Sequence, residues 1–375
     1  MKIVIDTDIP YIKGVFEPYF GKVIYKKGIE IVHNDIKDAV ALIVRTRTIC
    51  NEALLKGSGI RAIATATVGT DHIDIDYCNT QGIEVFSAPG SNAGGVLQWM
   101  IAVLFELSQG TGLQGKVLGV IGVGRIGGLL VKAAEALGLT VLQCDPPRAR
   151  IEGDKHFFPL KVLLKECDLF SFHVPLSFKG VDATYQMAGN DFFKLIKPGA
   201  WIINSARGGV VDEQAMMKGY LTKNVRYALD VWDNEPHIDR QVLSKALFAT
   251  PHIAGYTIEG KVNATIMAVK AIASFFNLNL RLWKPEPYPI QNPFRLDMND
   301  FIENGAINYR SLFRKVYSIS DDDMQLRNNP DHFESIRSNY RLRHDNSGYS
   351  FDTDLSQNQK EIIRALGFNL ITDDP

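Results

Sequence analysis

The stretch KVLGVIGVGRIGGLLVKAAEALGLTVLQCD, residues 116–145, decides the fold. An apolar run of strand length, VLGVI, breaks at the turn GVGRIG, in which Gly122, Gly124 and Gly127 stand in GxGxxG spacing. GLLVKAAEALG then carries apolar residues at helical spacing, and a second apolar run, TVLQC, leads to Asp145, 23 residues beyond Gly122. A strand that breaks at a glycine turn, continues as a helix and returns as a strand predicts a βαβ unit of a parallel sheet. The first two glycines permit a tight turn and close approach of the backbone to a pyrophosphate. The third lets helix and strand pack closely, and the pyrophosphate charge rests on the amides of the helix N-terminus. Asp145 can accept hydrogen bonds from ribose hydroxyls and would repel a 2′-phosphate, which predicts NAD rather than NADP. Arg148 is the residue that would receive a 2′-phosphate instead.

Working outward toward the C-terminus, four more apolar runs follow: CDLFSFHVPL, GAWIINSARGGVVD, VRYALDVWDNEP and ALFATPHIAGYT. Each ends at a polar or glycine loop, as buried parallel strands do. Toward the N-terminus, KIVIDTD, KVIY, ALIVRTRT and IRAIATATVGT alternate with helical patches such as NEALLKG, a second series of βα units. SNAGGVLQWMIAVLFELSQ joins the two series as one long helix, with Ser91 or Asn92 as its N-cap. After a helical stretch at 257–277, the proline-rich RLWKPEPYPIQNPF (281–294) breaks any helix and reads as a linker. The more polar remainder holds the helix-like DHFESIRSNYRLR and QNQKEIIRALGF. The expected fold class is α/β, with two Rossmann-like doubly wound parallel-sheet domains, for substrate and for NAD, plus a small α+β C-terminal domain. The expected boundaries are 1–92 with 257–283 for the substrate-binding lid, 93–256 for NAD, and 284–375 for the C-terminal dimerisation domain.

Composition excludes several classes. The 375 residues are 46% hydrophobic and 22% charged, with Lys+Arg 41 against Asp+Glu 42, so no net field favours nucleic acid or a membrane surface. Cys50, Cys78, Cys144 and Cys167 form no CxxC pair, which argues against a disulfide framework or a zinc knuckle and fits a reducing cytoplasm. The opening MKIVIDTDIP reads as a strand rather than a signal peptide, and no run of ~18 apolar residues occurs. A soluble cytoplasmic protein acting on small molecules is expected.

Three strand ends carry unusual polar groups: Arg207 in NSARGGVVD, Glu235 in DVWDNEP and His252 in TPHIAGY. In this order, behind the GxGxxG unit, these segments resemble the D-isomer-specific 2-hydroxyacid dehydrogenases over roughly residues 1–277. The resemblance implies that Arg207 binds the substrate carboxylate and polarises the C2 oxygen, that His252 is the acid/base, and that Glu235 pairs with the imidazole. The residue types suit the chemistry. Oxidising a secondary alcohol needs a base for the hydroxyl proton while hydride leaves C2 for the nicotinamide, and histidine, with an ordinary pKa of ~6.5, serves near neutrality. A glutamate partner favours the imidazolium that forms, and arginine offers a planar, permanently charged grip on a carboxylate.

MKIVIDTDIPY, VRTRT (44–48), ATATVGTDHID (64–74), CDPPRA (144–149), TPHIAGYTIEGK (250–261) and RSNYRLR (337–343) extend the resemblance from end to end, to a branch of that family that acts on a small phosphorylated hydroxy acid. On that likeness Thr46, Thr67 and Tyr256 contact substrate, and backbone amides of Val68 and Gly69 hold the carboxylate. Arg125, Ile126, Val174, Ser205, Ala206, Arg207, Asp230 and Gly255 join Gly122, Gly124, Gly127 and Asp145 around the cofactor. Arg45 and Arg47 are alternatives for the phosphate, argued from charge on a short loop. Val174 departs from the pattern, where such enzymes have threonine. A homodimer is implied. His173 and Asp168 lack the dense spacing of a metal site, and no metal is expected. Two other readings stand beside this one: a dehydrogenase of the same family acting on phosphoglycerate or glyoxylate, and a non-enzymatic NAD-sensing corepressor-like protein.

Overall fold

The computed structural model describes residues 1–108, 113–153, 155–288, 293–351 and 355–371. Residues 289–292, the middle of the expected proline-rich linker, lie outside them. The chain divides into two compact units, one of Met1–Asn92 with Thr257–Asn292 and one of Ala93–Tyr256 with Pro293–Pro375.

In the first unit, strands β1 (Lys2–Asp6), β2 (Lys22–Lys26), β3 (Ala41–Val44), β4 (Ala62–Thr65) and β5 (Glu84–Phe86) form one parallel sheet in the order β2-β1-β3-β4-β5. β1, β3 and β4 are buried along their whole length, which is why their sequences are continuous apolar runs rather than alternating ones. One face packs against the helix Ile258–Phe275 through Ala264, Ala268 and Ile272. Thr257 caps that helix by accepting from Gly260 N at 3.0 Å. The strand order reverses between β1 and β3, so the crevice at their carboxyl ends is the place where a sheet of this kind binds ligands.

The second unit holds a six-stranded parallel sheet of β6 (Val117–Ile121), β7 (Thr140–Cys144), β8 (Leu169–Phe172), β9 (Trp201–Asn204), β10 (Arg226–Leu229) and β11 (Phe248–Ala249), ordered β11-β10-β9-β8-β6-β7. Its order reverses between β6 and β8. The helix Ala93–Leu107 is apolar almost all round because it is buried almost all round. Residues after Pro293 share its core: Phe301, Phe313, Phe351, Ile363 and Phe368 cluster with Trp99, Val103 and Leu130. This C-terminal part adds β12 (Phe294–Leu296), a hairpin of β13 (Ile302–Glu303) and β14 (Ala306–Ile307), then β15 (Tyr349–Phe351) and β16 (Asn369–Leu370), with β12, β15 and β16 forming a small parallel sheet. Glu106, nearly fully buried, is gripped by Arg310 and Arg314. Burial alone would raise its pKa, but the two guanidinium groups hold it below the usual carboxylate value. No helix of the described residues is long and apolar enough to cross a membrane.

Candidate active site

The glycine turn lies at the reversal point of the second sheet. Gly122 follows β6 with φ +86°, and a side chain there would come within 2.8 Å of the His173 backbone beyond β8. At Gly127 a Cβ would stand 2.1 Å from Gly122 O, so only glycine lets helix and strand close. Gly124 is different: a Cβ there meets nothing within 4 Å. Protein packing does not require that glycine, and the space before it is open to a ligand. The helix Arg125–Ala136 starts from Gly124 with no side-chain cap, leaving its first amides, Arg125 and Ile126 among them, for an anion. The residues present therefore fit a dinucleotide pyrophosphate.

Asp145 follows β7 and accepts from Val123 N at 2.8 Å and Arg148 N at 3.1 Å, which fixes its carboxylate beside the glycine turn. Arg148 is committed elsewhere. Its Nε and Nη2 each donate to Glu152 at 2.7 Å, its Nη1 donates to Val123 O, and its guanidinium lies 5.0 Å from the Phe157 ring centroid. That engagement favours Asp145, and hence NAD, over the 2′-phosphate alternative. Val174 sits across the turn, its Cγ1 among the atoms a side chain at Gly122 would meet. His173 pairs with Ser171 Oγ at 2.6 Å, and burial pushes its pKa down to about 4, so it is a neutral packing residue. Asp168 is paired with Lys197 and with Val117 N. Among the described residues no three His, Cys, Asp or Glu side chains come together as metal ligands.

The loops after β9, β10 and β11 carry the other groups. Asn204 organises the first: its Oδ1 accepts from Ala206 N, and its Nδ2 donates to Arg207 O, both at 3.0 Å. Arg207 Nη1 donates to Ala206 O at 2.7 Å, and Ser205 Oγ turns toward Met100 Sδ. Glu235 accepts from Trp232 N at 2.9 Å through Oε1 and from His252 Nδ1 at 2.8 Å through Oε2. A carboxylate can only accept, so the proton of the neutral ring sits on Nδ1 and Nε2 carries the lone pair. Burial would raise the Glu235 pKa, but the His252 charge and hydrogen bond, the Trp232 amide and the Arg337 charge together hold it low. Glu213, buried nearby, accepts from Asp233 N at 2.8 Å, and burial pushes its pKa up to about 7.

His252 has φ +57°, a left-handed conformation that costs a residue with a side chain roughly 1–2 kcal/mol. Asp230 holds it there. Its backbone carbonyl accepts from His252 N at 2.7 Å, Oδ1 from Ile253 N at 2.8 Å, and Oδ2 from Ala254 N at 3.0 Å. Thr250 Oγ1 also donates to Asp230, at 2.6 Å, and accepts from Trp99 Nε1 at 3.0 Å, while Thr250 O accepts from Trp232 Nε1 at 2.9 Å. Gly255 and Tyr256 continue the turn, with the Arg337 guanidinium 5.6 Å from the Tyr256 ring centroid. Sequence reasoning missed Trp99, Thr250 and Glu213, for which no spacing signal exists.

The remaining expected residues lie in the first unit. Arg45, Thr46 and Arg47 follow β3, at that sheet's own reversal point, where Arg45 Nη1 donates to Asp8 O beyond β1 at 3.1 Å. Thr46 and Arg47 are exposed. Thr265 ties the helix Ile258–Phe275 to the same β1 loop by donating to Pro10 O at 3.0 Å. One turn earlier on that helix, Lys261 has its pKa lowered, first by burial and then by the Arg45 charge. Thr67 donates to Gly69 O at 2.9 Å and so accepts from Thr65 Oγ1 at 2.6 Å, while Thr65 pairs with His72. That chain shapes the Thr67–Val68–Gly69 turn.

Residues 98–254 match the model of the D-isomer specific 2-hydroxyacid dehydrogenase NAD binding domain. An erythronate-4-phosphate dehydrogenase of Bacteroides fragilis is 38% identical over 93% of this chain and 98% of its own length, and that of Porphyromonas gingivalis is 36% identical over 98% and 100%. The NAD+-bound 3-phosphoglycerate dehydrogenase of Entamoeba histolytica superposes with a TM-score of 0.63 at 30% identity, covering 95% of that chain and 74% of this one. The chain belongs to the erythronate-4-phosphate dehydrogenase family of the D-isomer specific 2-hydroxyacid dehydrogenases.

Proposed function

We propose that the protein oxidises 4-phospho-D-erythronate at C2 to 2-oxo-3-hydroxy-4-phosphobutanoate, with NAD as oxidant, in the synthesis of pyridoxal 5′-phosphate. The observation that carries the chemistry is the 2.8 Å pair of Glu235 Oε2 and His252 Nδ1, which leaves Nε2 as the base. His252 takes the C2 hydroxyl proton, and the Glu235 carboxylate favours the imidazolium that results. Arg207 holds the substrate carboxylate and polarises the C2 oxygen. When bound, the nicotinamide accepts the hydride from C2. Asp145 and the amides at Gly124–Ile126 hold its adenosine ribose and pyrophosphate, with Val174, Ser205, Ala206, Asp230 and Gly255 lining the same pocket.

The 4-phosphate is assigned to Arg45, with Lys261 as a second cation. Two positive groups flank one loop at a sheet's reversal point, the Arg45 charge lowers the Lys261 pKa, and an anion between them would relieve that repulsion. Thr46, Thr67 and Tyr256 contact the rest of the substrate, and the amides of Val68 and Gly69 its carboxylate. The protein acts as a homodimer in this reading.

NADH absorbance is followed with purified protein, NAD and 4-phosphoerythronate, beside erythronate and 3-phosphoglycerate. Turnover that needs the 4-phosphate is expected. Preference for 3-phosphoglycerate would keep the family and reject this substrate, and size-exclusion chromatography with light scattering tests the dimer.

A further inference from the structure

The amides of the His252 loop are held by Asp230, and its carbonyls are held by a residue from the far end of the chain. Arg343 Nη2 donates to Ala254 O at 2.6 Å and lies 3.5 Å from Ile253 O. Its Nη1 donates to Tyr340 OH at 3.2 Å, and the guanidinium faces the Tyr317 ring, 4.1 Å from the centroid. Tyr340 in turn donates to Asp322 at 2.6 Å. We propose that Arg343 is a positioning residue for the hydroxy-acid oxidation: with Asp230 it grips both edges of the Ile253–Ala254 peptides and so locks the turn that aims His252.

The alternative is that Arg343 only holds the fold together. Burying a guanidinium costs several kcal/mol unless it is paired, yet among the described residues no carboxylate pairs with Arg343 directly and its Nε has no hydrogen-bond partner. An apolar side chain would fill this space at lower cost. What the guanidinium adds is a rigid planar donor, with Nη2 aimed at the loop and Nη1 steadied by the Tyr340 hydroxyl. The His252 turn gains from such a donor, because its left-handed backbone is uncommon for a residue with a side chain.

The inference rests on the dehydrogenase reading, so one of its two readouts is independent of substrate. In Arg343→Gln, kcat is expected to fall between roughly ten- and a hundredfold, with NADH still bound stoichiometrically and its Kd within about threefold of wild type. Arg343→Lys, which keeps the charge without the fork, lies between the two. The Nδ1 proton resonance of His252, identified by its absence in His252→Ala, shifts or broadens in the same order in free enzyme. Arg364→Gln, an exposed arginine outside this network, leaves kcat unchanged. Should Arg343→Gln not fold, Arg343→Lys and Tyr340→Phe, which removes the hydroxyl steadying the fork, carry the test with smaller effects. A kcat within about twofold of wild type together with an unshifted resonance overturns the proposal, as does a fall in kcat matched by an equal loss of NADH sites. If wild type fails to oxidise 4-phosphoerythronate, the substrate assignment falls and the resonance alone decides the role of Arg343.

Discussion

Gly122 and His252 both turn the chain through the left-handed region just beyond a parallel strand, at φ +86° and +57°, and they do so by opposite means. Gly122 adopts its angle because it has no side chain to prevent it. His252 has one, and its turn is imposed by Asp230 and Arg343, 22 residues before it on the one side and far along the chain on the other. A turn encoded by its own residue can be read locally. An enforced turn is visible only once the fold has brought its enforcers together, and it is there that the proposed base sits.

The largest effect that would sharpen this contrast comes from the proposed base itself. His252→Ala should lower kcat by about a thousandfold while NADH titrates normally, since no part of the glycine turn depends on it. Gly127→Ala should do the reverse. Its Cβ would meet Gly122 O at 2.1 Å, and opening the turn to relieve that contact should weaken NADH binding by about 3 kcal/mol, roughly a hundredfold. Gly124→Ala is the informative companion: urea unfolding should be unchanged within about 0.5 kcal/mol while NADH affinity still falls, because its methyl would point into the open space before the uncapped helix N-terminus. Asp230→Asn tests the enforced turn. An amide cannot accept from Thr250, Ile253 and Ala254 as a carboxylate does, and a loss of about 2 kcal/mol in stability is expected, together with a fall in kcat.

The smallest effect concerns Glu213, which steadies the Glu235 loop through Asp233 N. Its folded-state pKa of about 7 exceeds its ordinary 4.5, so the native state binds the proton more tightly. Stability from this group is therefore full below about pH 4.5 and lost as pH rises through about 7. Glu213→Gln, which keeps the acceptor, should raise stability by about 1–2 kcal/mol near pH 8 and leave it nearly unchanged at about pH 4 by urea melts.

Much of the fold was legible because buried parallel strands are continuous apolar runs. KIVID, ALIV, AIAT and the six runs of the second sheet stand out for that reason. β5, only three residues and half exposed, leaves no such trace. Within RSNYRLR the helix ends at Ser338, and the last five residues pack as an irregular segment from which Arg343 reaches the His252 loop. Periodicity could not show that, since Arg343 and Ala254 are 89 residues apart. Gly122, Gly127 and Asp145 were readable from spacing because their tasks are local. Trp99 and Thr250 were not, because an indole and a hydroxyl in apolar runs look like ordinary core until their hydrogen bonds are seen.

Those two indoles make the site observable by light. Trp99 and Trp232 converge on Thr250 from either side, one on its hydroxyl and one on its carbonyl, and both are almost fully buried. Rigid and shielded from water, they should emit with a blue-shifted maximum in a band that reduced nicotinamide absorbs. NADH bound near them would quench them by resonance transfer and brighten in return, so the protein would carry its own built-in optical gauge of bound reduced cofactor.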